Sequence, residues 1–356
     1  MLERAEKDGR SFLLEPEVYE ILKDAGIATP RHMFVPAGGK VGRKDLAALG
    51  TPEVVVKIVS PLVIHKSDVG GVAFAKADPA SVAKACAAML RTVVARTRAA
   101  ERKAVRESVR GFLLVEKVAF DDVGFGSEIL LGLRNSLDFG PVLTMGSGGL
   151  DVEYMNARLK EGRAVAIASA HLLENAKAIE TLEPLAFYGK LALPFRGRKP
   201  LVSPRVLAGT LLRFRDLAAA FSPFSAATPF VLEEAEVNPF VVRRGRLVPL
   251  DGVCRFSRAK AEASERPVEA VGRLLKPASI GIIGVSEKMN IGHVILNNIL
   301  KAGFDAENVV VVKPGLGSIE GCRCVPTIEA MPATVDLFVL TLGADQCYDV
   351  MKALVD

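Results

Sequence analysis

Tryptophan is absent from this chain of 356 residues, and aromatic residues make up only 6% of it. Side chains for stacking bases are therefore few, and none are interleaved with a basic block. Lysine and arginine form no block either: the net charge of +5 is spread over many segments. Such a distribution suits anionic small ligands such as phosphates at least as well as nucleic acid, so no nucleic-acid partner is expected. Cysteine is scarce and unpatterned. Cys86, Cys254, Cys322, Cys324 and Cys347 form an odd, scattered set, and Cys322 stands too close to Cys324 for a CxxC zinc or redox pair, which points to a reducing compartment. No run approaches the roughly 18 apolar residues of a membrane span. The first residues mix Glu and Lys without the apolar core of a signal peptide. A cytoplasmic protein with no membrane partner is expected.

What is present is material for cores. Half of the residues are hydrophobic, and at roughly 150 residues per domain the length suggests two or three domains. Val18, Ile21, Leu22 and Ala25 recur at helical spacing after Pro16, with Gly26 at the stop position. Val54 to Val59 and Gly111 to Val118 read as strands, and the Ala-rich Ser81 to Arg96 reads as a helix. Glu128 to Leu133 and Pro141 to Met145 suggest a hairpin that feeds the run Gly146-Ser147-Gly148-Gly149. Helical character is expected over Arg158 to Thr181 and again over Val206 to Phe221. A stretch rich in Arg, Lys, Glu, Ala and Ser from Phe256 to Pro267 reads as a connector. Beyond Lys276-Pro277 comes a β-α-β pattern: Ser279 to Val285, Gly292 to Ala302 and Val309 to Val312, with Leu337 to Leu342 as a further strand. Only 80 residues follow Lys276, fewer than a doubly wound domain ordinarily needs, so this domain is expected to be incomplete.

Four groups of residues carry chemistry. Glu234 to Val242, the turn Arg243-Arg244-Gly245-Arg246 and Leu247 to Asp251 read as a hairpin. With Arg244-Gly245 as its two-residue tip, Asn238 falls directly opposite Asp251. An amide oxygen and a carboxylate about 5 Å apart at Cβ suit a hard cation such as Mg²⁺, which takes few protein oxygens and leaves room for phosphates. Glu236 projects to the same face. The spacing equally fits a hairpin with ordinary polar decoration. Lys57, inside the apolar strand, needs a partner for its ammonium, and either a nucleotide phosphate or a snorkelling position at a sheet edge would serve. His65, in a loop with polar and glycine neighbours, is competent as a nucleophile toward phosphorus; a lone loop histidine also serves simply as a hydrogen-bonding group. Finally, the strand ending at Gly284-Val285-Ser286 before a helix offers backbone donors to a phosphate. Its glycine spacing is not GxGxxG, and Lys313 ends the second strand where a dinucleotide site would normally have an acid.

These strings resemble a known family. Glu-Val-Asn-Pro-Phe at 236–240 followed by Leu-Asp-Gly at 250–252 is similar to the magnesium-binding hairpin of the ATP-grasp part of the succinyl-CoA synthetase superfamily. Ser60-Pro61-Leu62-Val63-Ile64-His65-Lys66-Ser67-Asp68-Val69-Gly70-Gly71-Val72 resembles a motif of ADP-forming acetate–CoA ligases in which the histidine carries a phosphoryl group. Leu114 to Val118 looks like the strand whose end meets adenine and ribose, and Glu128 matches a position close to the nucleotide. Lys276 to Ser286 looks like the start of the superfamily's CoA-binding domain. The resemblance implies an α/β chain: an ATP-grasp nucleotide-binding domain of two α+β subdomains over 1–256, a linker over 257–275, and a partial Rossmann-like CoA-binding domain over 276–356. It also implies a ligase that joins an acid to coenzyme A while ATP becomes ADP and phosphate. Lys57, Glu116, Val118 and Glu128 would bind nucleotide, Asn238 and Asp251 would hold Mg²⁺, and His65 would relay phosphate. Gly284, Val285, Ser286 and Lys313 would meet CoA. The second phosphorylated histidine of that family belongs to a ligase domain not found in these residues. His293 is expected at the surface or beside CoA. The remaining ligase domains are expected from a longer chain or a partner subunit, this chain alone is not expected to complete the reaction, and assembly as a homo-oligomer stays open. The rival readings are a non-catalytic module that senses ATP or CoA and an ATP-grasp amide ligase.

Overall fold

In the computed structural model, the apolar strand around Lys57 is one of two inner strands of a small antiparallel sheet. The structure describes residues 1–64, 66–121, 124, 126–136, 138–149, 152–194, 197–258 and 268–355. The chain divides into two units, Met1–Glu262 and Ala263–Asp356.

In the first unit β1 (His32–Pro36), β2 (Glu53–Val59), β3 (Val72–Lys76) and β4 (Gly111–Glu116) form a sheet in the order β1-β4-β2-β3. Val54, Val56 and Ile58, alternate residues of β2, are fully buried in a core with Val82, Met89 and Val93 of the helix Pro79–Arg96. Strand alternation sends Lys57 to the opposite face, toward the larger core that contains Val59, Leu113 and Val115. β2 therefore has no solvent face, and β3 and β4 flank it on both sides.

The second sheet of this unit contains β5 (Ile129–Ser136), β6 (Gly140–Ser147), β7 (Val165–Ser169), β8 (Val231–Arg243), β9 (Arg246–Pro249) and β10 (Gly252–Ser257) in the order β10-β8-β5-β6-β7, with β9 on the far end of β8. The helix Pro204–Ala220 covers it. Ser203 accepts the Val206 N–H at that helix's start, Pro204 needs no partner there, and Leu207, Leu211, Phe214 and Leu217 line its buried stripe. The helix expected over Arg158 to Thr181 is not continuous. Val165–Ser169 is instead the edge strand β7, paired with β6 from Val142↔Ser169 to Gly146↔Val165. Helix propensity from the two alanines of this segment, Ala166 and Ala168, is a weak preference that a free sheet edge overrides.

The second unit has a sheet in the order β13-β14-β12-β11-β15, formed by β11 (Ile280–Ile283), β12 (Val309–Val312), β13 (Ser318–Ile319), β14 (Cys322–Val325) and β15 (Leu337–Leu340). β14, β12, β11 and β15 run parallel, while β13 is antiparallel to β14. The chain leaves β11 for β12 on one side and later returns to pair β15 on the other. The carboxyl end of β11 is thus a topological switch point, where such sheets open a crevice for ligands. The stretch expected as linker contains a helix over Val268–Leu275. Among the described residues no helix is long and apolar enough to cross a membrane.

Candidate active site

The hairpin register is the one the sequence implies. Phe240 pairs with Pro249, Val242 with Leu247 and Arg243 with Arg246 around the tip Arg244-Gly245. Both tip residues have positive φ, 51° and 74°, the backbone of the two-residue turn that matches strand twist. On the other side of the site Gly252 pairs with Val237 and Val253 with Glu236. Between those ladders the Asn238 N–H donates to the Asp251 carbonyl at 3.3 Å. Glu234, Glu236, Asn238 and Asp251 line one cavity of about 620 Å³, together with Phe12, Ile64 and Arg255.

Asn238 is fixed from the glycine run: its Oδ1 accepts the Gly149 N–H at 2.8 Å. Gly149 has φ +66°, and a Cβ there would run into the Glu128 carboxylate. Glu128, Gly149 and Asn238 therefore pack as one unit, which links two of the sequence-predicted groups.

Asp251 meets a network of charges. Lys57 Nζ donates to Glu15 Oε1 at 2.5 Å and to the Leu250 carbonyl at 2.6 Å, and it stands 4.0 Å from Asp251 Oδ1. Lys66 Nζ lies 2.7 Å from Glu15 Oε2 and 3.4 Å from Asp251 Oδ1. The Gly252 N–H donates to Asp251 Oδ1 at 2.9 Å, and the Tyr19 hydroxyl donates to the Leu250 carbonyl at 3.0 Å. Burial alone would raise the Asp251 carboxyl, but Lys57, Lys66 and the Gly252 N–H outweigh it and hold it below the usual carboxylate range. The same balance holds Lys66 above its ordinary value: burial works against its charge, and Glu15 with Asp251 prevails. Glu236 moves the other way. Burial, then the nearby charge of Glu234, raises it against the hydrogen bond from Asn238.

Lys57 is not at a sheet edge, as a snorkelling lysine would be; it is buried on an inner strand, and its partner is Glu15. At the end of β4 Glu116 accepts the Arg31 backbone N–H at 2.9 Å and meets two cations, the Arg31 guanidinium at 2.8 Å and Arg243 at 3.1 Å. Val118 follows, half-buried. His65 lies outside the described residues. Sequence reasoning missed Glu15, whose carboxylate binds both lysines. Its one signal is the string Leu14-Glu15-Pro16-Glu17, which begins a helix and gives the carboxylate no evident partner.

An Mg²⁺ ion fits this donor set. Asn238 and Asp251 line one cavity with hard oxygens, and Glu236, raised by burial first and then by the charge of Glu234, adds a carboxyl there whose ionised form a cation would favour.

At the switch point of the second unit, Gly284 has φ +93° and sits against the Thr341 backbone, where a side chain would collide. Val285 is buried, and Asn290 ties the turn to the following helix: its Oδ1 accepts the N–H groups of Ser286 and His293, and its Nδ2 donates to the Gly284 carbonyl. Lys313 follows β12, its N–H on the Val325 carbonyl. His293 is not a surface residue: it is 5% exposed, because the helix Ile291–Lys301 turns it inward onto Ser286 and Glu320.

This chain belongs to the ATP-grasp domain family, which it matches over residues 4–255. Residues 278–356 match a CoA binding domain family. The subunit beta of an ADP-forming acetate–CoA ligase I from Pyrococcus furiosus is 28% identical over 251 residues, covering 70% of this chain and 94% of that subunit. The ADP-forming acetate–CoA ligase II from Archaeoglobus fulgidus is 25% identical over 342 residues, covering 96% of this chain and 44% of that protein. A dinucleotide-forming acetyl-coenzyme A synthetase 1 from Ca. Korarchaeum cryptofilum, solved in complex with coenzyme A, Ca-AMPCP and HgCl+, superposes with a TM-score of 0.54 at 25% identity, covering 72% of this chain and 98% of that one. The chain spans less than half the length of several curated ligases that it matches, from 20% to 44%.

Proposed function

We propose that this chain is the nucleotide- and CoA-binding portion of an ADP-forming acyl-CoA synthetase, which joins an acid to coenzyme A as ATP becomes ADP and phosphate. The observation that carries the reading is the convergence on Asp251. Asn238 shares its cavity, and the two chain neighbours of His65 reach the same place: Ile64 lines that cavity and Lys66 contacts the carboxylate.

In this reading a ring nitrogen of His65 attacks the γ-phosphorus of ATP, the bond from that phosphorus to the bridging oxygen breaks, and ADP leaves with the bond's electrons. Asn238 and Asp251 hold Mg²⁺, which when bound supplies positive charge to the phosphate oxygens. Lys57 and Glu128 lie beside that site and position the nucleotide, with Glu116 and Val118 at the end of β4. Gly284, Val285, Ser286 and Lys313 receive CoA at the switch point. The acyl site and the later phosphoryl transfer come from further ligase domains, in a longer chain or a partner subunit.

The test is to incubate the protein with Mg-ATP labelled at the γ position and look for acid-labile, base-stable phosphate on the chain. Label present in the starting protein and absent after His65→Ala is the expected result. Tight nucleotide binding without label would overturn the reading in favour of an ATP sensor.

A further inference from the structure

We propose that His293 is a positioning residue for CoA: held as an imidazolium between Ser286 and Glu320, it clamps the turn Gly284-Val285-Ser286 in the form that receives a phosphate. This rests on the reading of that turn as the CoA site.

Each ring nitrogen of His293 faces a protein oxygen. His293 Nδ1 lies 2.7 Å from the Ser286 carbonyl oxygen, a group that can only accept, so Nδ1 carries a proton. His293 Nε2 lies 2.9 Å from Glu320 Oε1, and an ionised carboxylate also only accepts, so Nε2 carries one too. A neutral ring would leave one lone pair pointing at an oxygen. The geometry thus selects the doubly protonated ring. The Ser286 carbonyl, then Glu320, raises the imidazole above 6.5 against its desolvation.

The surroundings are built for this clamp. His293 is buried, and an uncompensated charge there would be costly, so Glu320 is required as counter-ion. Glu320 reaches it from the turn between β13 and β14 with φ +47°, a conformation that non-glycine residues adopt rarely. The other titratable group at that turn is Cys322, which burial first, and then Cys324 and Glu320, keep as a neutral thiol. Glu287 and Lys288 are exposed on the loop before the helix, and the Lys288 N–H donates to Ser286 Oγ at 3.1 Å. Both N–H groups of the ring are occupied by protein oxygens, so His293 acts on a phosphate through Ser286 and the charge it places behind the turn, while the helix terminus supplies the donors.

The consequence is a pH dependence with a defined sign. The clamp is intact below the raised imidazole pKa and is lost as pH rises through it, so CoA should bind more weakly on the alkaline side. Calorimetric CoA titrations of the whole chain between pH 6 and 9 test this, with dephospho-CoA as the control for ionisation of the ligand's own 3′ phosphate. For wild type an affinity loss of about tenfold across the range is expected. His293→Gln should bind CoA as weakly as the wild type does at high pH, without the pH trend, and Glu320→Gln should shift the wild-type midpoint toward lower pH. A proton NMR titration of the His293 ring reports the same midpoint without ligand, and native-like dispersion of the second unit's amide and methyl signals in the same spectra confirms that the variants are folded. CoA affinity that is independent of pH and indifferent to both substitutions would overturn the clamp and leave the CoA site standing. No CoA binding by wild type at any pH would sink the CoA site and the clamp together.

Discussion

Lys66 Nζ stands 3.4 Å from Asp251 Oδ1 and 2.7 Å from Glu15 Oε2. The carboxylate proposed as a metal ligand is thus already balanced by the ammonium of the residue that follows His65. A cation arriving at Asp251 must compete with that ammonium.

The competition can be measured without turnover. In Lys66→Met, nucleotide-free Mn²⁺ binding followed by electron paramagnetic resonance should tighten about three- to fivefold. The gain is held to that size because the Asp251 side chain is 40% exposed and water screens the pair. Asp251→Asn should abolish the site. Weaker Mn²⁺ binding in Lys66→Met would show that the lysine supports the metal site and does not compete with it.

Glu15 is the keystone of the same network, 4% exposed with an ammonium on each oxygen. Removing one partner of a buried pair leaves an uncompensated charge and costs roughly 3–5 kcal/mol. Glu15→Gln should therefore lower the urea midpoint by that equivalent. Lys57→Met together with Glu15→Gln should be clearly less destabilised than the two single changes added, because the double variant leaves Lys57's charge out of the interior. Additive losses would mean that the two side chains do not act as a pair.

The hairpin was legible because its determinants are local. A two-residue tip with glycine second fixes the register, and the register sets Asn238 against Asp251. The glycine run was legible as an anion-binding candidate but not as the support of Asn238, since the Gly149–Asn238 bond spans 89 positions. Lys57 shows the limit most plainly. An apolar strand around a lysine says that a partner exists, but Glu15 lies 42 residues away on a helix, and only the packing of that helix brings it near. Val165–Ser169 failed for the opposite reason: its alanines suit a helix, and the free edge of β6 decides otherwise. β14 was missed because Cys-Arg-Cys-Val is short and has too little alternation to register. In the second unit the β-α-β order could be read directly, whereas the inward turn of His293 depends on Glu320 across the sheet.

Glu116 sets an acid dependence of stability. Burial raises its carboxyl, and the hydrogen bonds from Arg31, then Arg243, outweigh that and lower it. A carboxyl lowered in the folded state contributes stability that is complete above the unfolded value of about 4.3 and is lost as pH falls through the folded value. Glu116→Gln should cost about 1–2 kcal/mol at pH 7, limited by the exposure of Arg31. The gap between variant and wild type, measured by urea unfolding at a series of pH values, should begin to shrink below about pH 4.3 and close as pH falls through the lowered folded value. A gap that persists undiminished at pH 3 would mean that the ion cluster is not its source.

Gly149→Ala tests whether the glycine run supports the metal and nucleotide site or merely links β6 to the helix Val152–Arg158. At φ +66° an alanine is strained, and its methyl group would displace the Glu128 carboxylate. Relief of that clash moves the Gly149 N–H away from Asn238 Oδ1, which then lacks the bond that orients its amide. Strain and the lost bond together should destabilise the first unit by about 2–3 kcal/mol. The informative readout is binding. Mg-ATP affinity should fall about tenfold or more in Gly149→Ala, while Gly162→Ala should leave it unchanged: Gly162 has φ +73° and would clash with nothing, so that variant carries the backbone strain alone. Equal losses in the two variants would assign the effect to strain and remove the glycine run from the site.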